Sequence, residues 1–146
     1  MWIDGAVTSG EISILGVADM ATKLEAAFAQ TGDKIGELRI VGHGNAYGQF
    51  MGANWIEDRT AGTYAKDFRR IGKLFSAQRG VVTLGGCQVG QNGPLLLKLS
   101  EYFKVPVRAF TALQRPLVPG DEGNSTDCYV TCSTSKDASL WDWLDN

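Results

Sequence analysis

The sequence predicts an α/β fold built on a mostly parallel sheet, and three observations predict it. Short apolar, β-branched runs alternate with segments whose apolar residues recur at helical spacing. One of those runs, Val81-Val82-Thr83-Leu84, is nearly uninterrupted, as a strand covered on both faces would be. The chain has 146 residues and is 44% hydrophobic, enough for one domain with its own core. No repeat, low-complexity tract or linker-like composition divides it, so residues 1–146 are read as a single domain.

Each element has a local reason. Residues 12–15 are the first apolar run and predict a strand. Met20, Ala21, Leu24, Ala27 and Phe28 follow at helical spacing until Thr31-Gly32-Asp33 breaks the pattern. Leu38-Arg39-Ile40-Val41 predicts a second strand, which runs into Gly42-His43-Gly44. A helix over 63–77 would align Tyr64, Phe68, Ile71 and Phe75 on one face, with Lys66, Asp67, Arg70 and Lys73 opposite. The buried strand at 81–84 stops at Gly85-Gly86-Cys87. Pro94 suits the first turn of a helix through Leu95, Leu96, Leu99, Tyr102 and Phe103, and Pro106 ends it. Residues 105–110 and 129–131 supply two further strands.

Composition removes several classes of function. Fourteen Lys+Arg against sixteen Asp+Glu give a net charge of -2 with no basic run, so neither nucleic acid nor an anionic membrane is an expected partner. No apolar run reaches the length of a signal core or a membrane span. The expected location is therefore the cytoplasm, or outside the cell by a route without a classical signal peptide. One histidine and three cysteines make neither a zinc cluster nor a disulfide framework, so no metal or other cofactor is expected. Cys128 and Cys132 on one strand would share a face at about 13 Å, too far to bridge, whereas a chain reversal between them would allow a disulfide.

His43 and Cys87 concentrate the chemistry. Each lies just past the carboxyl end of a predicted strand, the place where open α/β sheets bind ligands. If the two strands are neighbours, both side chains project into one crevice. A thiol attacks as the thiolate, and a nearby imidazole can take its proton and later deliver one to a leaving amine. The amides of Gly44 and Cys87 are the natural donors to the oxyanion. Glycines at 42, 44, 85 and 86 would let an extended peptide approach. Histidine precedes cysteine by 44 residues, and no glycine stands two positions after Cys87, which disfavours α/β-hydrolase and papain-like arrangements.

An apolar strand entering His-Gly, then a second entering Gly-Cys, resembles the signature of the caspase-like, clan CD cysteine peptidases. Val41-Gly42-His43-Gly44 with Gly86-Cys87-Gln88-Val89-Gly90 is similar to the bacterial caspase-like domain of unknown function found in large surface or secreted proteins. The resemblance implies a three-layer α/β/α sandwich, His43 as catalytic histidine, Cys87 as nucleophile and the Gly44 amide in the oxyanion hole. It also implies a protein or peptide substrate, and latency until cleavage or binding of an activator protein; the small size leaves open association with a larger secreted system. Gly-Gly-Cys-Gln departs from the caspase Gln-Ala-Cys, so specificity for aspartate does not carry over.

Other readings compete with this one. A cysteine after an apolar strand is also what a small buried hydrophobe looks like. A caspase-like fold without activity would serve as a protein-interaction module. A thiol transferase or acyltransferase could use the same pair. Asn45, Tyr47, Gln49 and Gln88 are candidate substrate contacts, with solvated loop as the plain alternative. Residues 116–125 form the longest aperiodic stretch, where Asp121 and Glu122 would either attract a basic substrate side chain or sit solvated in a turn. Trp141 and Trp143 would pack on the sheet, or mark a partner surface if exposed.

Overall fold

A computed structural model describes residues 2–5, 9–111 and 129–132. In chain order the elements are β1 (Trp2–Gly5), β2 (Ser9–Glu11), α1 (Val17–Thr31), β3 (Ile35–Ile40), β4 (Gly44–Asn45), β5 (Gly48–Met51) and β6 (Asn54–Glu57). After a 3-10 turn at Ala61–Tyr64 come α2 (Ala65–Gly72), β7 (Val81–Leu84), a second 3-10 turn at Val89–Gln91, α3 (Gly93–Phe103), β8 (Val107–Phe110) and β9 (Tyr129–Cys132). The fold is mixed α/β: a six-stranded sheet in the order β2-β1-β3-β7-β8-β9, and a separate three-stranded sheet β4-β5-β6.

The central sheet corrects the expectation of a mostly parallel one. Only β3, β7 and β8 run parallel; β1 joins β2 and β3, and β9 joins β8, antiparallel. The parallel trio are the strands joined by helical crossovers, β3 to β7 through α2 and β7 to β8 through α3. Both crossovers step in the same direction along the sheet, so their common handedness puts both helices on one face. There α1 packs on α2 and α2 on α3, one helical layer among the described residues.

Strand alternation divides the sheet into two unlike faces. Leu38, Ile40, Val82, Leu84, Val107 and Ala109 point to the helices and join one apolar core with Met20, Leu24, Phe68, Ile71, Leu99 and Phe103. The opposite face carries Glu37, Arg39, Thr83 and Arg108. Thr83 donates its hydroxyl to Glu37 Oε2 at 2.7 Å, and Arg108 donates Nε to Thr83 Oγ1 at 2.9 Å and Nη2 to Glu37 Oε2 at 2.7 Å. Arg39 Nε lies 3.1 Å from Glu37 Oε1. Burial pushes the Glu37 carboxyl up, but the Thr83 hydroxyl and the two guanidinium groups outweigh it and hold the group below the usual carboxylate range.

Two element predictions are corrected. Residues 12–15 are not a strand; the short strand before them is Ser9–Glu11. Leu15 donates its N–H to Asp19 and gives its carbonyl to the Ala53 N–H, leaving no ladder partner to make, and its side chain is 77% exposed. The helix expected over 63–77 is a 3-10 turn followed by α2, and it stops at Gly72. A side chain at Gly72 would strike the Phe103 backbone. Beyond it the chain leaves the helix to bridge β3: Ile35 N–H donates to Leu74 O and Ser76 N–H to Ile35 O, both at 2.8 Å. Phe75 is buried by this route instead of by a helical turn.

The start of α3 follows its predicted chemistry. Asn92 accepts the Leu95 N–H at 3.2 Å, Pro94 sits in the first turn, and a left-handed Lys104 closes the helix before Pro106. Among the described residues no helix is long and apolar enough to cross a membrane.

Candidate active site

The pairing of β3 with β7 decides where the site lies. Ile40 is opposite Leu84 at the last parallel position. His43 and Cys87 are each three residues further on, so the two leave adjacent strand ends in matched register. Adjacent strands run about 4.8 Å apart. His43 is exposed and Cys87 is half-buried, its thiol outside any disulfide.

The β4–β6 hairpin stands over both loops and holds them. His43 gives its carbonyl to the Phe50 N–H at 2.9 Å. The next pair, Gly44 with Gln49, then falls on the alternate phase of the antiparallel ladder, in which the Gly44 N–H faces away from β5. Gln49 is fully buried beneath this point. Its Nε2 donates to Ile40 O at 3.0 Å and to Phe50 O at 3.3 Å, and its Oε1 accepts the N–H of Gly86, the residue before Cys87, at 2.9 Å. Gly85 N–H reaches the same Ile40 carbonyl at 2.9 Å. One amide therefore ties the strand before His43, the hairpin and the Cys87 turn together.

The glycines around the pair serve this packing first. A side chain at Gly42 would land on the Phe50 carbonyl oxygen, and one at Gly86 would come 2.8 Å from both Gln49 Oε1 and Val89. At Gly42 and Gly86 the absence of a side chain is required by the protein's own groups. Gly44 is likewise closed by Val89 at 2.7 Å.

Cys87 sits in a tight turn whose next residue, Gln88, has φ 62°. A left-handed residue other than glycine costs about 1–2 kcal/mol, so this bend is held by its surroundings. Gln91 N–H donates to Gln88 O at 3.0 Å, and Gln91 Nε2 donates to Thr111 O at 2.8 Å, pinning the turn to the end of β8. Asn92 fastens the other side: its Nδ2 donates to Tyr47 O at 2.8 Å and to Asp58 Oδ1 at 3.1 Å. The bond to Asp58 is the main cause that holds this half-buried carboxyl below the usual range, with Lys98 and Arg59 adding to it.

A cleft of about 490 Å³ opens beside His43, lined by Ser13, Ile14, Val41, Gly42, Phe50, Gly52 and Ala53 with His43 itself. Cys87 is not among the lining residues: the cleft is walled by residues that follow β2 and β3 and by the hairpin, and β2 lies on the side of β3 away from β7.

A family model for a domain of unknown function, DUF4347, matches residues 6–114. The chain belongs to the DUF4347 family. The DUF4347 match takes in His43, the hairpin, Gln49, Cys87 and the strands that carry them, and stops before Asp121 and Glu122. No curated protein and no solved structure matches the chain.

The candidate contacts named from the sequence separate accordingly. Gln49 is corrected from substrate contact to internal clamp, because both ends of its amide are used inside the protein. Asn45 is exposed, with Oδ1 accepting the Tyr47 N–H at 2.7 Å to shape the hairpin turn, and Tyr47 is exposed at its tip. Gln88 directs the Cys87 turn. Asp121, Glu122, Cys128, Trp141 and Trp143 lie outside the described residues, while the Cys132 backbone pairs with Val107 in β9. Sequence reasoning missed Asn92, Phe50 and the clamp role of Gln49. An Asn two residues before a helix-opening proline was a readable cap signal; Gln49 carried none, since its burial exists only once the hairpin folds over the sheet.

Proposed function

We propose that this chain is a cysteine endopeptidase of the caspase-like kind, built on a three-layer α/β/α sandwich, with His43 and Cys87 as its catalytic pair. The observation that carries the reading is the matched exit of the two residues from neighbouring parallel strands, each three positions past the last paired residue. Its chemistry follows from the residue types. The Cys87 thiolate attacks the scissile carbonyl, forming the S–C bond while the thiol proton passes to His43. Amides of Gly44 and Cys87 stabilise the oxyanion. His43 then protonates the leaving amine as the C–N bond breaks. In the second half, water gives a proton to His43, attacks the thioester carbon and releases the acid with the Cys87 thiol restored.

The test requires no knowledge of the substrate. Alkylation of each cysteine is followed against pH in the full chain by peptide mapping, before and after limited proteolysis, with His43→Ala as control. The expected result is fast modification of Cys87 below the ordinary thiol value of about 8.5, slowed when His43 is replaced. A Cys87 that stays inert under both conditions, or reacts indifferently to His43, overturns the peptidase reading and leaves an interaction module.

A further inference from the structure

We infer that the cleft beside His43 receives an uncharged apolar side chain, that of the residue immediately following the scissile bond in a polypeptide substrate. The inference takes its chemistry from the peptidase reading and adds to it the side of the bond and the class of residue. In acyl transfer the carbonyl carbon stays with the thiol, while the amine leaves by way of the proton donor. Whatever lies on the imidazole's far flank is therefore on the amine side of the bond. The cleft meets that condition by strand order: Ser13 and Ile14 follow β2, on one side of β3, whereas Cys87 follows β7, on the other.

Its walls set the class of residue. Ile14, Val41, Phe50 and Ala53 supply apolar surface, and Ser13 is the one polar side chain besides His43. The lining residues hold no carboxylate, ammonium or guanidinium group, so a charged side chain would find no ionic partner there, whereas an apolar one would cover Ile14, Val41 and Phe50. Phe50 is 41% exposed, yet it is fixed by an edge contact with Trp55 at 5.0 Å between ring centroids, which gives the cleft a rigid aromatic wall. Leu15, at the lip next to Ile14, is 77% exposed. Of the four large apolar side chains exposed among the described residues, Phe50 lines this cleft and Leu15 follows Ile14 at its edge. A volume of about 490 Å³ is ample for one aliphatic or aromatic side chain.

Binding of product-like probes tests the cleft without any turnover. Leucyl-alanine amide and aspartyl-alanine amide are titrated to millimolar concentration into the isotope-labelled full chain, and shifts are read at the His43 ring and at the amides of Gly42, Phe50 and Ala53. The leucyl probe should perturb these signals at about tenfold lower concentration than the aspartyl probe. Ala53→Asp, at an exposed position whose backbone N–H still reaches Leu15, should transfer the preference to lysyl-alanine amide, and Ser13→Asp provides the same charge from the other wall. Equal responses to the leucyl and aspartyl probes, or none at these residues, overturn the inference. Failure of the peptidase reading would show instead in Cys87 alkylation, which this titration does not use.

Discussion

The body of the molecule and its crest are held together by different forces. In the body, the helix-facing side of the central sheet closes on α1, α2 and α3 through side chains with almost no exposed surface, and burial does the work. At the crest, where β3 and β7 release His43 and Cys87, short loops carry too little apolar surface for that. Here Gln49, Asn92 and Asn54 fasten backbone to backbone; Asn54 of β6, for instance, accepts the Val17 N–H at the start of α1 at 2.9 Å. Apolar burial is tolerant in direction, whereas hydrogen bonds fix angle and distance. A scaffold can rest on the first, but fixing two loops against each other at a sheet edge requires the second.

That contrast fails if body and crest substitutions act alike. Phe68→Ala should give the largest stability loss, about 3–5 kcal/mol, because the fully buried ring packs on Tyr64, Tyr102 and Phe103. Denaturant unfolding reads that loss, and in the remaining folded protein the pH profile of Cys87 alkylation should be unchanged. Gln49→Ala should cost less, about 3 kcal/mol, since it removes the partner of the Gly86 N–H and of the Phe50 carbonyl and leaves the Ile40 carbonyl to Gly85 alone. It should nevertheless alter the alkylation profile and speed amide exchange at Gly86. A Gln49 variant as unstable as expected but with wild-type Cys87 reactivity would make the clamp merely structural.

The two faces of the sheet differ in the same way, one closed by apolar burial and the other by the Glu37, Thr83 and Arg108 hydrogen bonds. Because Glu37 is held below its ordinary range, its ionised form contributes stability that is fully present above the unfolded value of about 4.3 and is lost as pH falls through the lower folded value. Glu37→Gln should flatten the fall in stability that sets in as pH drops below the unfolded value of about 4.3, the smallest of the three effects, while leaving the helical face undisturbed. An acid limb as steep in the variant as in the parent chain would place the acid sensitivity elsewhere.

How much of this was legible in the sequence follows the same division. The body was readable because its signals are local: an unbroken β-branched run at 81–84, apolar spacing in α1 and α3, a proline at a helix start. The strand ends at His43 and Cys87 were readable for the same reason. The β4–β6 hairpin was not, because Gly48-Gln49-Phe50-Met51 buries a glutamine and exposes a phenylalanine, reversing what their polarity indicates. Residues 12–15 misled in the opposite sense: their apolar side chains serve the cleft and the core edge, while their backbone bonds to the helix start and the hairpin. Tertiary partners settled both segments, and no window of neighbouring residues contains them.

The parallel pairing of β3 with β7 also makes covalent continuity dispensable between His43 and Cys87. The 44 positions separating His43 from Cys87 along the chain do not measure anything; their separation in space is set by two hydrogen-bonded neighbours. The backbone between them surfaces at residues 77–79, all exposed. Cut there, the molecule becomes two pieces, one owning the imidazole and the other the thiol, each incomplete and each supplying half of a shared core. Whatever reactivity the pair possesses would then be the property of a reversible assembly, switched on by concentration and off by dilution.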